Sequence, residues 1–179
     1  LLFSLHHVAT NRGLYLENYW MKNKRAVAEG TNGPIHAWHI PAAQRRKADT
    51  ADAVNELLRQ GLEIHRVTTP FTAGVRSVAA GDYIVRGDQP YRTLAEMYFA
   101  VQNYAPQNPR PYDDTGWTFQ YMRDITINEV KDAAVLTQAM TPVAGPVTAS
   151  GGITASTAQG AAGGPVTLVV EHTADNALV

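Results

Sequence analysis

The chain has 179 residues, 45% of them apolar and 17% charged, enough to bury a core and suited to one domain or one and a half. Fifteen basic against sixteen acidic residues leave a net charge of −1, so the bulk balance points to neither nucleic acid nor an anionic membrane. Cysteine is absent, which excludes disulfides, thiolate metal sites and a thiol nucleophile, and no run reaches the roughly 18 apolar residues of a membrane span.

In chain order, the first predicted element is one long helix from about Leu2 to Glu29. Leu5, Ala9, Gly13, Leu16, Trp20, Asn23 and Val27 recur at spacings of three and four, a mostly apolar stripe stopped by Gly30 and Gly33–Pro34. IHAWHI, between Pro34 and Pro41, suits a strand. A loop through Arg45–Arg46–Lys47 then leads to a helix capped at Asp49 or Thr50, with Ala51, Val54, Leu57 and Leu58 inward and Gly61 as terminator. LEIHRV is a second strand. Strand, helix, strand in so short a span predicts a parallel, right-handed βαβ unit.

Two short strands, Arg76–Val78 and Asp82–Arg86, are predicted to turn near Ala80–Gly81. A helix then starts near Pro90 with Leu94, Met97, Tyr98 and Val101 as its buried stripe. A Pro-rich irregular stretch follows to Trp117, then a short helix near Phe119–Met122 and a helical or extended piece within Ile127–Met140. The fold class is therefore α/β, a long N-terminal helix followed by a small βαβ-containing mixed sheet with flanking helices. Its domain layout is a helix at 1–30, an α/β domain at 33–141, an Ala/Gly/Thr-rich linker or loop at 142–165, and the first strand of a further α/β unit at 166–179. Both ends look cut, as expected of a piece of a longer protein.

The candidate chemistry is thin. His36 and His39 lie three apart, and on a strand such residues point to opposite faces, so they make a poor chelating pair. That spacing sets Ile35, Ala37 and His39 on one face and His36, Trp38 and Ile40 on the other. A metal-dependent hydrolase built on His36, His39 and an acidic residue is the weakest reading. His6 and His7 diverge by about 100° on a helix. His172 and Asp175 lack a third ligand. Arg45 and Arg46 precede a helix N-terminus, where an anion could bind. RPYDDTGW places Arg110, Asp113, Asp114 and Trp117 in one Pro-bracketed loop, either a polar pocket wall or a turn pinned by its aromatics. These six residues are the candidate ligand contacts of an independent peptide- or glycan-binding α/β module. No catalytic or metal-binding residue is expected.

Several long phrases carry a family resemblance: SLHHVATNRGLYLENYWMKNKRAV, HIPAAQRRKADTADAVNELLRQGLEIHRVT, FTAG, GDYIVRGDQPYRTLAEM and NPRPYDDTGWTF. Together, over roughly Leu5 to Pro142, they resemble bacterial zinc metallocarboxypeptidases, large periplasmic or secreted relatives of carboxypeptidase A. The resemblance implies a peptidase domain upstream, with zinc held by an HxxE motif and a later His and a Glu as general base. This chain would then supply the helix that closes that domain and a non-catalytic accessory domain packed on it. No family catalytic residue maps here, because the third residue after each histidine is Ala9, Thr10, His39, Ala42, Thr68 or Asp175. Zinc is thus implied for the upstream domain and no cofactor for this chain. The implied partner is that peptidase domain, with self-association through the N-terminal helix as a second contact, and no nucleic acid or membrane.

Overall fold

The computed structural model describes residues 1–101, 105–109 and 118–149, and the backbone of 153–158 and 167–172. The N-terminal segment forms two consecutive helices, α1 (Leu2–Thr10) and α2 (Arg12–Asn32), rather than one. Asn11 interrupts them with φ −110° and ψ 27°, and its amide side chain bonds back to the His7 carbonyl at 2.8 Å. Asparagine competes with the helical backbone in this way.

Next come β1 (Ala37–Ile40), α3 (Lys47–Arg59) and β2 (Ile64–Val67). Helix α3 buries Ala51, Val54 and Leu57 as their spacing requires, and Gly61, at φ +90°, ends it. It starts at Lys47, earlier than the expected cap, and Thr50 bonds the Arg46 carbonyl from within its first turn. A hairpin, β3 (Phe71–Ala73) and β4 (Arg76–Val78), is followed by β5 (Tyr83–Arg86), α4 (Arg92–Phe99), α5 (Phe119–Arg123), β6 (Asn128–Val130), a 3-10 turn (Ala133–Thr137) and β7 (Met140–Pro142).

The main sheet runs β6-β1-β5-β2-β7, with every adjacent pair antiparallel. Strands β1 and β2 therefore point the same way, as a βαβ unit demands, but they are not paired. Strand β5 lies between them, which corrects the directly paired parallel strands expected from the sequence. A helix roughly 10 Å wide covers two strand spacings of about 4.8 Å, so the crossover leaves a slot for one returning strand. The expected pairing of 76–78 with 82–86 is likewise replaced: β4 pairs with β3 in a separate two-stranded sheet.

Both faces of the sheet are covered, so all four residues of β1 are buried. Trp38, Ile40, Ile64, Tyr83 and Val85 face α3, α4 and α5, where Phe99 and Phe119 complete the cluster. Trp38 meets Phe99 edge-on at 5.6 Å, and Phe99 meets Phe119 at 6.1 Å. Ala37, Ile84 and Val67 face the β3–β4 hairpin and the 3-10 turn, with Val78 and Val135. Each large aliphatic side chain buried this way contributes about 1.5–3 kcal/mol. Ile35 packs with Trp38 and Ile40 rather than with Ala37, because it precedes the strand and escapes its alternation.

The buried residues of α4 are Arg92, Ala95 and Phe99; Met97 and Val101, expected inside, are exposed. The 142–165 segment is not wholly linker. Val143 and Val147 pack toward the core, and Asn55 of α3 holds the Val147 N–H and carbonyl at 2.7 and 2.8 Å. Further on, β8 (Ile153–Ala158) pairs with β9 (Thr167–His172), so the expected C-terminal strand is present with an antiparallel partner from inside the expected linker.

Candidate interaction surface

The candidate residues of the β1–α3 loop are engaged internally. The Arg45 guanidinium bonds Asp124 at 2.7 Å, and Arg46 bonds Asp124 at 2.9 Å and Asp49 at 2.9 Å. Asp124 caps α5 in a left-handed conformation, φ 49°, which aspartate tolerates better than most residues. Arg45, then Arg46, hold its carboxyl below the usual carboxylate range, and Asp49 and Asp124 raise Arg46. Gln44 adds a two-way bond to the Thr126 backbone at 2.6 and 3.2 Å. The basic run thus clamps its loop to the end of α5. Arg110, Asp113, Asp114 and Trp117 lie outside the described residues, and so does Asp175.

His36 and His39 are both buried and bond to different groups. His36 Nδ1 meets the Gly30 carbonyl at 2.9 Å, tying β1 to the last turns of α2. His39 Nε2 meets Asp82 Oδ2 at 2.8 Å, and Asp82 also accepts the Ala42 and Ala79 N–H groups at 2.8 and 2.9 Å. This His–Asp pair resembles a catalytic dyad, but His39 Nδ1 is buried without a partner and both residues are at most 5% exposed. It joins the β1–α3 loop to the β4–β5 turn inside the domain. His6 and His7 are exposed on α1, with His7 edge-on to Tyr15 at 6.3 Å. Among the described residues no three His, Asp or Glu side chains converge on one point.

The open surface is the helix pair. No residue of α1 is buried, and only Ala26 and Gly30 of α2 are. Gly30 packs on Gly87 so closely that a Cβ there would lie 1.9 Å from the Gly87 carbonyl oxygen. Tyr15, Tyr19, Ala26 and Gly30 are spaced to share one side of a helix. Toward the N-terminus that side continues into exposed Tyr19 and Tyr15. Leu16 and Trp20 are 66% and 57% exposed, and Leu2, Phe3, Leu5, Val8 and Leu14 are exposed as well. Tyr19 bonds the Tyr91 hydroxyl and pushes its ionisation up, and Lys24 lies 4.8 Å from the centre of the Trp20 ring. Single exposed apolar residues are ordinary, but here many large ones lie on two consecutive helices.

Sequence reasoning missed Asp82, Gln89 and Arg92. Gln89, 1% exposed, bonds the Glu63 N–H and the Glu63 and Arg86 carbonyls. Arg92, 2% exposed, pairs with Glu96 at 2.7 Å and lies 5.6 Å from the Trp38 ring centre. Only the Arg92–Glu96 spacing of four was visible in the sequence. Among the described residues no helix is long and apolar enough to cross a membrane. No family model matches the chain, and no curated protein or solved structure is significantly similar to it.

Proposed function

We propose that this chain is a non-catalytic accessory α/β domain of a periplasmic or secreted zinc carboxypeptidase-like protein, docking on the peptidase domain through α1 and α2. The observation that carries the docking is the set of exposed apolar side chains on α1 and α2, two helices of which only Ala26 and Gly30 are buried. The carboxypeptidase identity is supported by the long phrases from SLHHVATNRGLYLENYW to NPRPYDDTGWTF. In this reading the zinc ligands and the general base belong to the peptidase domain, and this chain restricts or shapes peptide access to them.

The coding sequence immediately before Leu1 is the first test. An HxxE motif followed by a later histidine supports the proposal, and its absence sinks it. The second test is association of this chain with the domain encoded there. Leu16→Ser with Trp20→Ser is expected to abolish association while changing the stability of the isolated chain by no more than about 0.5 kcal/mol, because both side chains are exposed. Stoichiometric zinc and peptidase activity in this chain alone would refute the accessory role.

A further inference from the structure

The face of the main sheet that carries Ala37, Val67 and Ile84 also carries His65 of β2. Its cross-strand neighbours are Ile84 of β5 on one side and Pro142 of β7 on the other. The Nδ1 atom of His65 is buried and meets no partner. A neutral ring tolerates that as a bare lone pair, whereas a protonated ring puts there an N–H with no acceptor. Three charged groups act on the ring: Arg86 of β5, Asp88 just past its end, and Glu63 just before β2. Both Asp88 oxygens already hold the Arg86 guanidinium, at 2.8 and 2.6 Å, and Glu63 is exposed. On the other elements of this face, His39 is bonded to Asp82, His36 to the Gly30 carbonyl, and Asp132 to the Gly74 and Ala134 amides. Strand β7 carries no charged residue, and Arg76 of the β3–β4 hairpin is not among the groups that act on the ring. Burial, then the Arg86 charge, holds the imidazole below its ordinary value of 6.5.

Strand β7 is an outermost strand of the sheet and pairs only with β2. Across that seam the Thr68 N–H bonds the Ala139 carbonyl at 3.1 Å, and the Val143 N–H bonds the Ile64 carbonyl at 2.8 Å. An edge strand of three residues opens at lower cost than the strands inside the sheet. We propose that His65 is an acid-operated latch: protonation of its ring parts β7 from β2 while the rest of the sheet stays closed. Opening lets water reach Nδ1 and screen the imidazolium from Arg86. The Asn55 bonds to Val147 hold the chain beyond β7, so the opening is confined to 139–146. The stabilisation is present above 6.5 and is lost as pH falls through the lower folded value. The latch does not depend on the docking proposed above.

The test is amide exchange on the isolated chain from about pH 7.5 to about pH 5.5, corrected for intrinsic rates, beside NMR titration of the histidine rings. Asp88, held below its ordinary carboxyl value, stays ionised throughout that range. The Thr68 and Val143 amides report the β2–β7 seam; Val67, bonded to Asp82, and Gly87, bonded to His36, report the seams on either side of β5. Protection of Thr68 and Val143 is expected to fall about tenfold, the factor for one pH unit below the ordinary value, with Val67 and Gly87 unchanged. The fall should track the His65 titration and vanish in His65→Gln. No fall, an equal fall at all four amides, a fall that tracks His36 or His39, or a folded His65→Gln that keeps it would each overturn the latch. If that variant does not fold, the four amides and the ring titrations of the parent decide alone.

Discussion

Gly30→Ala isolates the joint between the N-terminal helices and the domain. In an exposed helix interior the substitution stabilises by roughly 1 kcal/mol, because alanine has the better helix propensity. At Gly30 the new Cβ would sit 1.9 Å from the Gly87 oxygen, 2.0 Å from its carbon and 2.3 Å from the Asp88 nitrogen. All three are backbone atoms, so no side chain can rotate away. Real Cβ contacts do not fall below 3.0 Å, so α2 must move off β5 by about 1 Å or more. That movement also pulls the Gly30 carbonyl from buried His36, a bond of 2.9 Å whose loss costs about 1 kcal/mol. Overpacking adds about 1–3 kcal/mol, and the sum outweighs the propensity gain. The expected net change is a loss of about 2 kcal/mol in urea unfolding, with faster amide exchange in Ala26–Asn32. A variant as stable as the parent, or more so, would refute the close packing of α2 on Gly87.

Two further outcomes follow from polar groups the sequence did not advertise. Asp82→Ala removes the acceptor for His39 and for the Ala42 and Ala79 amides, and is expected to cost about 3 kcal/mol by chemical denaturation, with the largest exchange increases in residues 41–46. A change below about 1 kcal/mol would show that water replaces those bonds. Asp88 is held below its ordinary carboxyl value, chiefly by the bidentate bond from Arg86, so its stabilisation is present above the unfolded value of 3.8 and is lost as pH falls through the lower folded value. Asp88→Asn is therefore expected to cost about 1 kcal/mol at neutral pH, the scale of a partly screened ion pair, and the gap from the parent should close below about pH 4. A gap that stays constant as pH falls from 3.8 through the lower folded value would place the effect elsewhere.

The elements that were legible are those whose evidence is local. Helix α3 was readable because Ala51, Val54 and Leu57 follow its period and Gly61 ends it. Strands β1 and β2 were bounded by prolines or a glycine and rich in β-branched residues. Pairing was not legible, because the partner of β1 lies more than forty residues away in β5, and the β3–β4 hairpin turns at Gly74, φ +59°, which captures 76–78 first. The face of α4 was misplaced because it buries a cation: counting only apolar positions selected Met97 and Val101 over Arg92 and Ala95. Arg45 and Arg46 looked available for an anion for the same reason, since Asp124 stands 78 and 79 residues further on.

The N-terminal helices differ from these cases, because the apolar positions counted as one stripe fall on two helices and remain exposed. Leu5, Leu16 and Trp20 follow the expected stripe, yet each is more than half exposed. A large apolar side chain left in water forgoes about 1.5–3 kcal/mol, and several are exposed on these two helices. The alternative, a helix that is merely solvated, would place charge there, but Arg12 and Glu17 are the only formally charged side chains from Leu1 to Met21. All the remaining charge of the pair sits from Lys22 onward. In the docking proposed above, burial along the apolar part would supply affinity and the charges from Lys22 onward would orient the partner. On the docking proposed above, helix α2 is half of an interface, which is why its apolar side chains remain in water.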